Sequence, residues 1–127
     1  MQNQAVISLG SNIQPGKNIP EARKKIGAMV RVLSESNFVT TQPIGRPGQP
    51  DFINGVMRVE TGVDLEELKQ FLKHIEKELG RVRTRDRYSP RTIDLDVVVW
   101  NGRVVDRNVK TRGFLKKAVR EVWPEVI

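Results

Sequence analysis

Residues 64–80 set the strongest limit on what this chain can fold into. Leu65, Leu68, Leu72, Ile75 and Leu79 recur at three- and four-residue intervals, the spacing that lines one face of an α-helix. Asp64 stands at the N-cap, Glu67 completes a capping box and Gly80 ends the run. Such a stripe has to be buried, and the segments on either side supply a sheet to bury it. FINGVMRVE at 52–60 and TIDLDVVVW at 92–100 are rich in residues that favour extended chain.

The earlier half repeats the pattern. QAVISLG reads as a strand ending near Leu9, in a Gly-Ser-Asn turn. Ile19, Ala22, Ile26, Met29, Val30 and Leu33 then predict an amphipathic helix, capped by Asn18 with Pro20 in its first turn. Asn37 to Thr41 reads as a strand, and residues 42–51, with three Pro and two Gly, as a loop. After Trp100, Asn101-Gly102 is a two-residue hairpin turn, with RVVD at 103–106 as the return strand. Residues 114–122 form a short helical pattern stopped by Pro124. His74 falls off the main stripe of its helix and reads as a surface or boundary residue. The order predicts one α+β domain over residues 1–127, a ferredoxin-like βαββαβ sandwich with an added C-terminal hairpin and short helix.

Composition removes several functional classes. The chain has no cysteine and one histidine, which excludes a disulfide scaffold, a thiolate metal site, a cysteine nucleophile and a His-rich zinc centre. No apolar run approaches the ~20 residues of a membrane span, and the N-terminus lacks the basic region of a signal peptide. The expectation is a cytoplasmic protein with no membrane partner. The net charge of +7 favours polyanionic partners. Its excess lies in the C-terminal third: residues 81–91 hold five Arg against one Asp, followed by the acidic Asp94 and Asp96.

That juxtaposition is the most chemical feature of the chain. Asp94 and Asp96 are two apart on a predicted strand, so both carboxylates share a face. Val98 and Trp100 are expected on that face, with Ile93, Leu95, Val97 and Val99 on the other. Two like charges side by side call for a cation, and Mg²⁺ commonly takes one or two carboxylates plus substrate phosphates. A solvated strand end would look the same in isolation. Arg81, Arg83, Arg85 and Arg87 fall at every second position, with Arg91 close behind. Guanidinium groups grip phosphate oxygens bidentately, and acids that hold metal beside arginines that neutralise charge are what phosphoryl chemistry needs. Phe52 and Asn54 place a ring and an amide on one strand face, which could floor a site for a flat heterocycle, although a Phe on a strand is more often a core contact. LGSN at 9–12 lacks the P-loop pattern and by itself reads as an ordinary turn.

These segments together resemble the 6-hydroxymethyl-7,8-dihydropterin pyrophosphokinase family. The resemblance is carried by LGSN at 9–12, TQPIGRPGQPDFINGV at 41–56, IEKELGRVR at 75–83 and RYSPRTIDLD at 87–96, and more weakly by RGF at 112–114 and WPEV at 123–126. It implies a ferredoxin-like α+β fold and transfer of diphosphate from ATP to the pterin's hydroxymethyl oxygen, leaving AMP, in folate biosynthesis. Asp94 and Asp96 match aspartates that hold two Mg²⁺ ions. Arg81, Arg91 and Arg112 match positions that contact nucleotide phosphates or stabilise the transfer, and Arg83 and Arg87 lie in the loop that closes over the site. Phe52 and Phe114 match the aromatic pair around the pterin, while Asn54, Thr41 and the backbone at Ile44 match groups on its edge. Glu76 matches an acidic residue without an assigned role.

One departure stands out. Only VVDRNVKT lies between Arg103 and Arg112, shorter than the family's loop and without its histidine. Arg107 and Lys110 are the residues available to compensate. Two other readings stay open at this point. One is a relative that binds pterin or nucleotide without turnover, suggested by the short loop. The other is an RNA-binding ferredoxin-like module, suggested by the charge. Small-molecule substrates rather than nucleic acid are the expected partners, and oligomeric state is not legible.

Overall fold

A computed structural model of the chain describes residues 2–42, 48, 50–80 and 92–126. Strand β1 (Asn3–Ser11) runs through the middle of a sheet, with β4 (Phe52–Thr61) antiparallel on one side and β5 (Asp94–Trp100) antiparallel on the other. β2 (Arg31–Glu35) and β3 (Val39–Thr41) pair with the outer side of β4, and β6 (Arg103–Val104) pairs with the end of β5. The order is β2-β4-β1-β5-β6. This mixed architecture, an antiparallel sheet with helices, fits the expected α+β ferredoxin-like sandwich.

Alternation along the central strands divides the core in two. Ala5, Ile7, Leu9, Met57 and Val59 pack against α1 (Pro15–Met29) and α2 (Leu65–Glu78), through Ile26, Leu68, Leu72 and Ile75. On the opposite face Val6, Val56, Val98 and Val99 pack against α4 (Gly113–Val122), through Leu115, Ala118, Val119 and Val122. A strand covered on both faces has no polar side, which is why β1 reads as a nearly continuous apolar run. The far end of α4 is fastened to the sheet by Arg58. Its guanidinium bonds the Gln4 side chain at 2.6 and 3.0 Å and the Val122 carbonyl at 3.1 Å, and lies 3.8 Å over the Trp123 ring. Among the described residues, no helix is long and apolar enough to cross a membrane.

Helix α2 has the expected Asp64 cap and the central part of the expected stripe, Leu68, Leu72 and Ile75, while Leu65 and Leu79 are only partly buried. Asp64 Oδ1 accepts the Glu67 N–H at 2.8 Å, and Gly80 turns the chain with a φ of 91°. His74 is exposed and pairs with Glu78 at 3.3 Å. Helix α1 differs from its expectation at both ends. It begins at Pro15, whose missing N–H is harmless in the first turn, so Asn18 is not its cap. Instead Asn18 is buried and donates to the Ile13 carbonyl at 2.6 Å. The helix stops at Met29 because Val30 is extended, and Leu33 belongs to β2. All of β2 is exposed; backbone pairing to β4, rather than burial, makes it a strand, and such a strand has no alternating signature. RVVD pairs only through Arg103 and Val104. Val105 and Asp106 then fold back on the Val98 carbonyl, leading into a further short helix, α3 (Asn108–Thr111).

A β-bulge corrects the facing of β5. Val6 pairs with Val99 but Ile7 with Val97, so Val98 is an extra residue. Beyond it the alternation flips: Val99 joins Val98 in the α4-side core, and Trp100 packs on the α1/α2 side. Asp94 and Asp96 precede the bulge and still share one face.

Candidate active site

The two aspartates lie on the α4 side of the sheet, beyond the part that α4 covers. Asp94 is half-buried, Asp96 exposed, and Leu95 between them points into the α1/α2 core. Cross-strand register shows what stands beside them. Asp94 is opposite Gly10 on β1, and Gly10 is opposite Asn54 on β4. Residues directly opposite share a face, so Asn54, Gly10 and Asp94 form one row across three strands, roughly 10 Å from end to end. Phe52 lies two residues from Asn54 on the same face, and Thr41 on β3 is opposite Phe52. The Asn54 amide donates to the Thr41 hydroxyl.

The middle of that row has to be glycine. A Cβ at Gly10 would sit 2.6 Å from Asn54 Oδ1 and 3.8 Å from the Phe52 ring. Space, not backbone conformation, therefore fixes Gly10, and the strand expected to end near Leu9 runs on through Ser11 because its pairing with β4 continues to Ile53. Ser11 and Asn12 also join the site's supports. Ser11, fully buried, donates its hydroxyl to the Thr92 carbonyl at 2.6 Å, with the Ile13 carbonyl at 3.0 Å. Buried Asn12 reaches the Pro50 carbonyl at 3.4 Å, two residues before Phe52. LGSN is thus more than the ordinary turn that its sequence alone suggested.

Of the residues singled out above, the structure brings Thr41, Phe52, Asn54, Asp94 and Asp96 on to one face. Arg112 is the half-buried residue at the start of α4, the helix over the rest of that face, and Phe114 is half-buried against its core. Ile44, Arg81, Arg83, Arg87 and Arg91 lie outside the described residues. No group of three metal-binding side chains occurs among the described residues. The aspartate pair alone fits a hard divalent ion that keeps its other sites for phosphate oxygens and water.

Two features were not assigned from sequence. A cavity of about 550 Å³ opens beside Asp96, lined by Lys69 and Lys73 of α2, Leu95 and Val97 of β5, and Asp106 and Arg107. Lys69 and Lys73 stand a turn apart on the helix flank, a signal present in the sequence but indistinguishable there from a solvated face. Arg107 reaches this cavity, whereas Lys110, exposed on α3, is not among its lining. The other feature is Glu76, a carboxylate only 2% exposed that accepts the Leu95 N–H at 2.8 Å. It follows Ile75 directly and stands four residues after Leu72, on the buried arc, and an acid there was the available signal.

A family model for 7,8-dihydro-6-hydroxymethylpterin-pyrophosphokinase matches residues 6–124. The chain belongs to this family. Among relatives in the pyrophosphokinase family, 2-amino-4-hydroxy-6-hydroxymethyldihydropteridine pyrophosphokinase of Haemophilus influenzae is 36% identical over 104 residues, covering 80% of this chain and 64% of that protein. The Bacillus subtilis protein of the same name is 37% identical over 106 residues, covering 80% of this chain and 62% of its own. The folic acid synthesis protein fol1 of Pneumocystis carinii is 39% identical over 138 residues, which span all of this chain and 18% of that protein. The chain thus spans under two-thirds of the length of these relatives.

Proposed function

We propose that this pyrophosphokinase-family chain transfers diphosphate from ATP to the hydroxymethyl oxygen of 6-hydroxymethyl-7,8-dihydropterin. The observation that supports the reading is the Asn54–Gly10–Asp94 row, which sets an amide and a carboxylate on one sheet face with a side-chain-free strand position between them. In the reaction the pterin hydroxyl oxygen bonds to the β-phosphorus, the bond from that phosphorus to the α-phosphate bridging oxygen breaks, and AMP leaves as the hydroxyl proton is lost.

The side chains divide this work by their chemistry. Asp94 and Asp96 would hold Mg²⁺, two ions by the family resemblance, and the metal would supply positive charge to offset that of the phosphates. Lys69, Lys73 and Arg107 outnumber Asp96 and Asp106 in the cavity wall, and these three cations are available to nucleotide phosphates there. By the family resemblance, Arg81, Arg83, Arg87, Arg91 and Arg112 add positive charge at the phosphates, and Arg81 and Arg91 take part in stabilising the transfer. Asn54, held by Thr41, presents its carboxamide to the pterin edge together with the Ile44 backbone, and Phe52 and Phe114 stack on the ring. Fixing the hydroxyl against the β-phosphorus supplies most of the acceleration, through positioning and electrostatics. An RNA-binding use of the sheet is disfavoured because helices pack on both faces, leaving little aromatic platform for bases.

The test is AMP formation from ATP, with and without the pterin and Mg²⁺, beside Asp94→Ala. AMP that requires both and is lost in the variant is the expected result. Retained pterin binding without any AMP would identify a binding protein instead.

A further inference from the structure

The start of β5 has an unusual problem. It carries two acids on one face, and among the described residues only its inner side is paired with another strand through this stretch. β1 runs alongside from Asp94 to Trp100, whereas β6 reaches only Val99 and Trp100. The outer side at Asp94–Val97 therefore has no strand neighbour among the described residues. A strand stretch without a strand neighbour on one side is held less firmly by its own ladder. A divalent ion needs the opposite, two oxygen donors at a set separation.

Two buried side chains hold this stretch from opposite directions. From β1, the Ser11 hydroxyl takes the Thr92 carbonyl at 2.6 Å, fixing the chain two residues before Asp94. From α2, Glu76 Oε2 takes the Leu95 N–H at 2.8 Å, on the one residue between the aspartates. Glu76 is 2% exposed, and a buried carboxylate has to be satisfied by hydrogen bonds, of which the Leu95 N–H supplies one. Leu95 is itself clamped, because its side chain lies in the core that Leu72 and Ile75 share.

We infer that Glu76 is a positioning residue for the aspartate pair: by accepting the edge amide of Leu95, it holds the separation at which Asp94 and Asp96 bind a divalent cation. This rests on the reading of Asp94 and Asp96 as the cation-binding pair. Glu76 touches neither metal nor substrate in this role. The contact to Leu95 calls for an acceptor oxygen at the end of a side chain of glutamate length.

Two near-isosteric variants separate length from charge. Glu76→Gln keeps the acceptor and the length but removes the charge. Glu76→Asp keeps the charge but withdraws the oxygen by one methylene. The readout is Mn²⁺ affinity by electron paramagnetic resonance, in the presence of an ATP analogue with a non-hydrolysable α,β bridge. Pterin binding without nucleotide and thermal stability are measured in parallel, with exposed Glu78→Gln as the control. Glu76→Asp is expected to weaken Mn²⁺ binding about tenfold or more, and Glu76→Gln to stay within about threefold, as for groups that orient metal ligands from behind. Pterin affinity stays unchanged in both. The reverse order, Gln weak and Asp normal, would show that charge is what counts and would overturn the inference. So would wild-type Mn²⁺ affinity in Glu76→Asp. Wild-type protein that binds no Mn²⁺-nucleotide complex would instead refute the assignment of the aspartates.

Discussion

Replacing Gly10 by alanine tests the geometry of the site with one methyl group. Gly10 has ordinary strand backbone, since no positive φ is recorded there, so only the new contact counts. The Cβ would lie 2.6 Å from Asn54 Oδ1, whereas carbon and oxygen approach to about 3.3 Å. The Asn54 amide therefore has to retreat by about 0.7 Å, pulling against its bond to Thr41. A misplacement near 1 Å at a positioning group costs up to ~100-fold. The expected result is a 10- to 100-fold loss in pterin affinity, about 1.4 to 2.7 kcal/mol, with nucleotide affinity unchanged. Pterin binding by calorimetry and nucleotide binding by fluorescence, each beside a thermal melt, make the measurement. Gly55→Ala is the matched control, one residue along the partner strand. Its Cβ would meet the Phe38 ring at 2.6 Å, on the side of the α1/α2 core that Phe38 packs against. It should cost stability, about 1–3 kcal/mol, while sparing pterin affinity in the protein that remains folded. Unaltered pterin affinity in Gly10→Ala would refute the row as the pterin floor. Equal losses for pterin and nucleotide would show a fold defect rather than a displaced amide.

Other outcomes follow from the same contacts. Arg107→Ala should raise the KM for ATP about three- to tenfold and Lys110→Ala leave it unchanged, because Arg107 alone of the two lines the cavity beside Asp96; steady-state kinetics with pterin saturating decide it. Arg58→Met removes the bonds to Gln4 and Val122 and the contact with Trp123. Urea unfolding should show a loss of about 2–4 kcal/mol. Arg23 meets Glu35 through two bonds of 2.7 and 2.8 Å, and this hydrogen bonding holds the Glu35 carboxyl below the usual carboxylate range. A depressed folded value means that the pair stabilises above the ordinary glutamate value and that this is lost as pH falls through the folded value. The pair is partly exposed, so the difference is under about 1 kcal/mol, and Glu35→Gln should flatten the acid side of a stability–pH curve by that amount.

What the sequence determined by itself was whatever depends on neighbours along the chain. The α2 cap and stripe, the Asn101-Gly102 turn and the shared face of Asp94 and Asp96 are all local, set by periodicity and turn chemistry. The family resemblance added roles for residues that periodicity could not rank, such as Phe114 and Arg112. Tertiary structure decided the rest. β2 is an exposed edge strand, stabilised by backbone pairing that leaves no hydrophobic pattern, so its residues read as the tail of α1. The bulge at Val98 depends on register against β1, and no feature of DLDVVVW reveals it. The buried places of Ser11 and Glu76 have the same origin: their partners, Thr92 and Leu95, lie 81 and 19 residues away. The Asn54–Gly10–Asp94 row is the clearest case. Its members lie far apart in sequence, and only the antiparallel register of three strands makes a missing side chain at Gly10 into the space between an amide and a carboxylate.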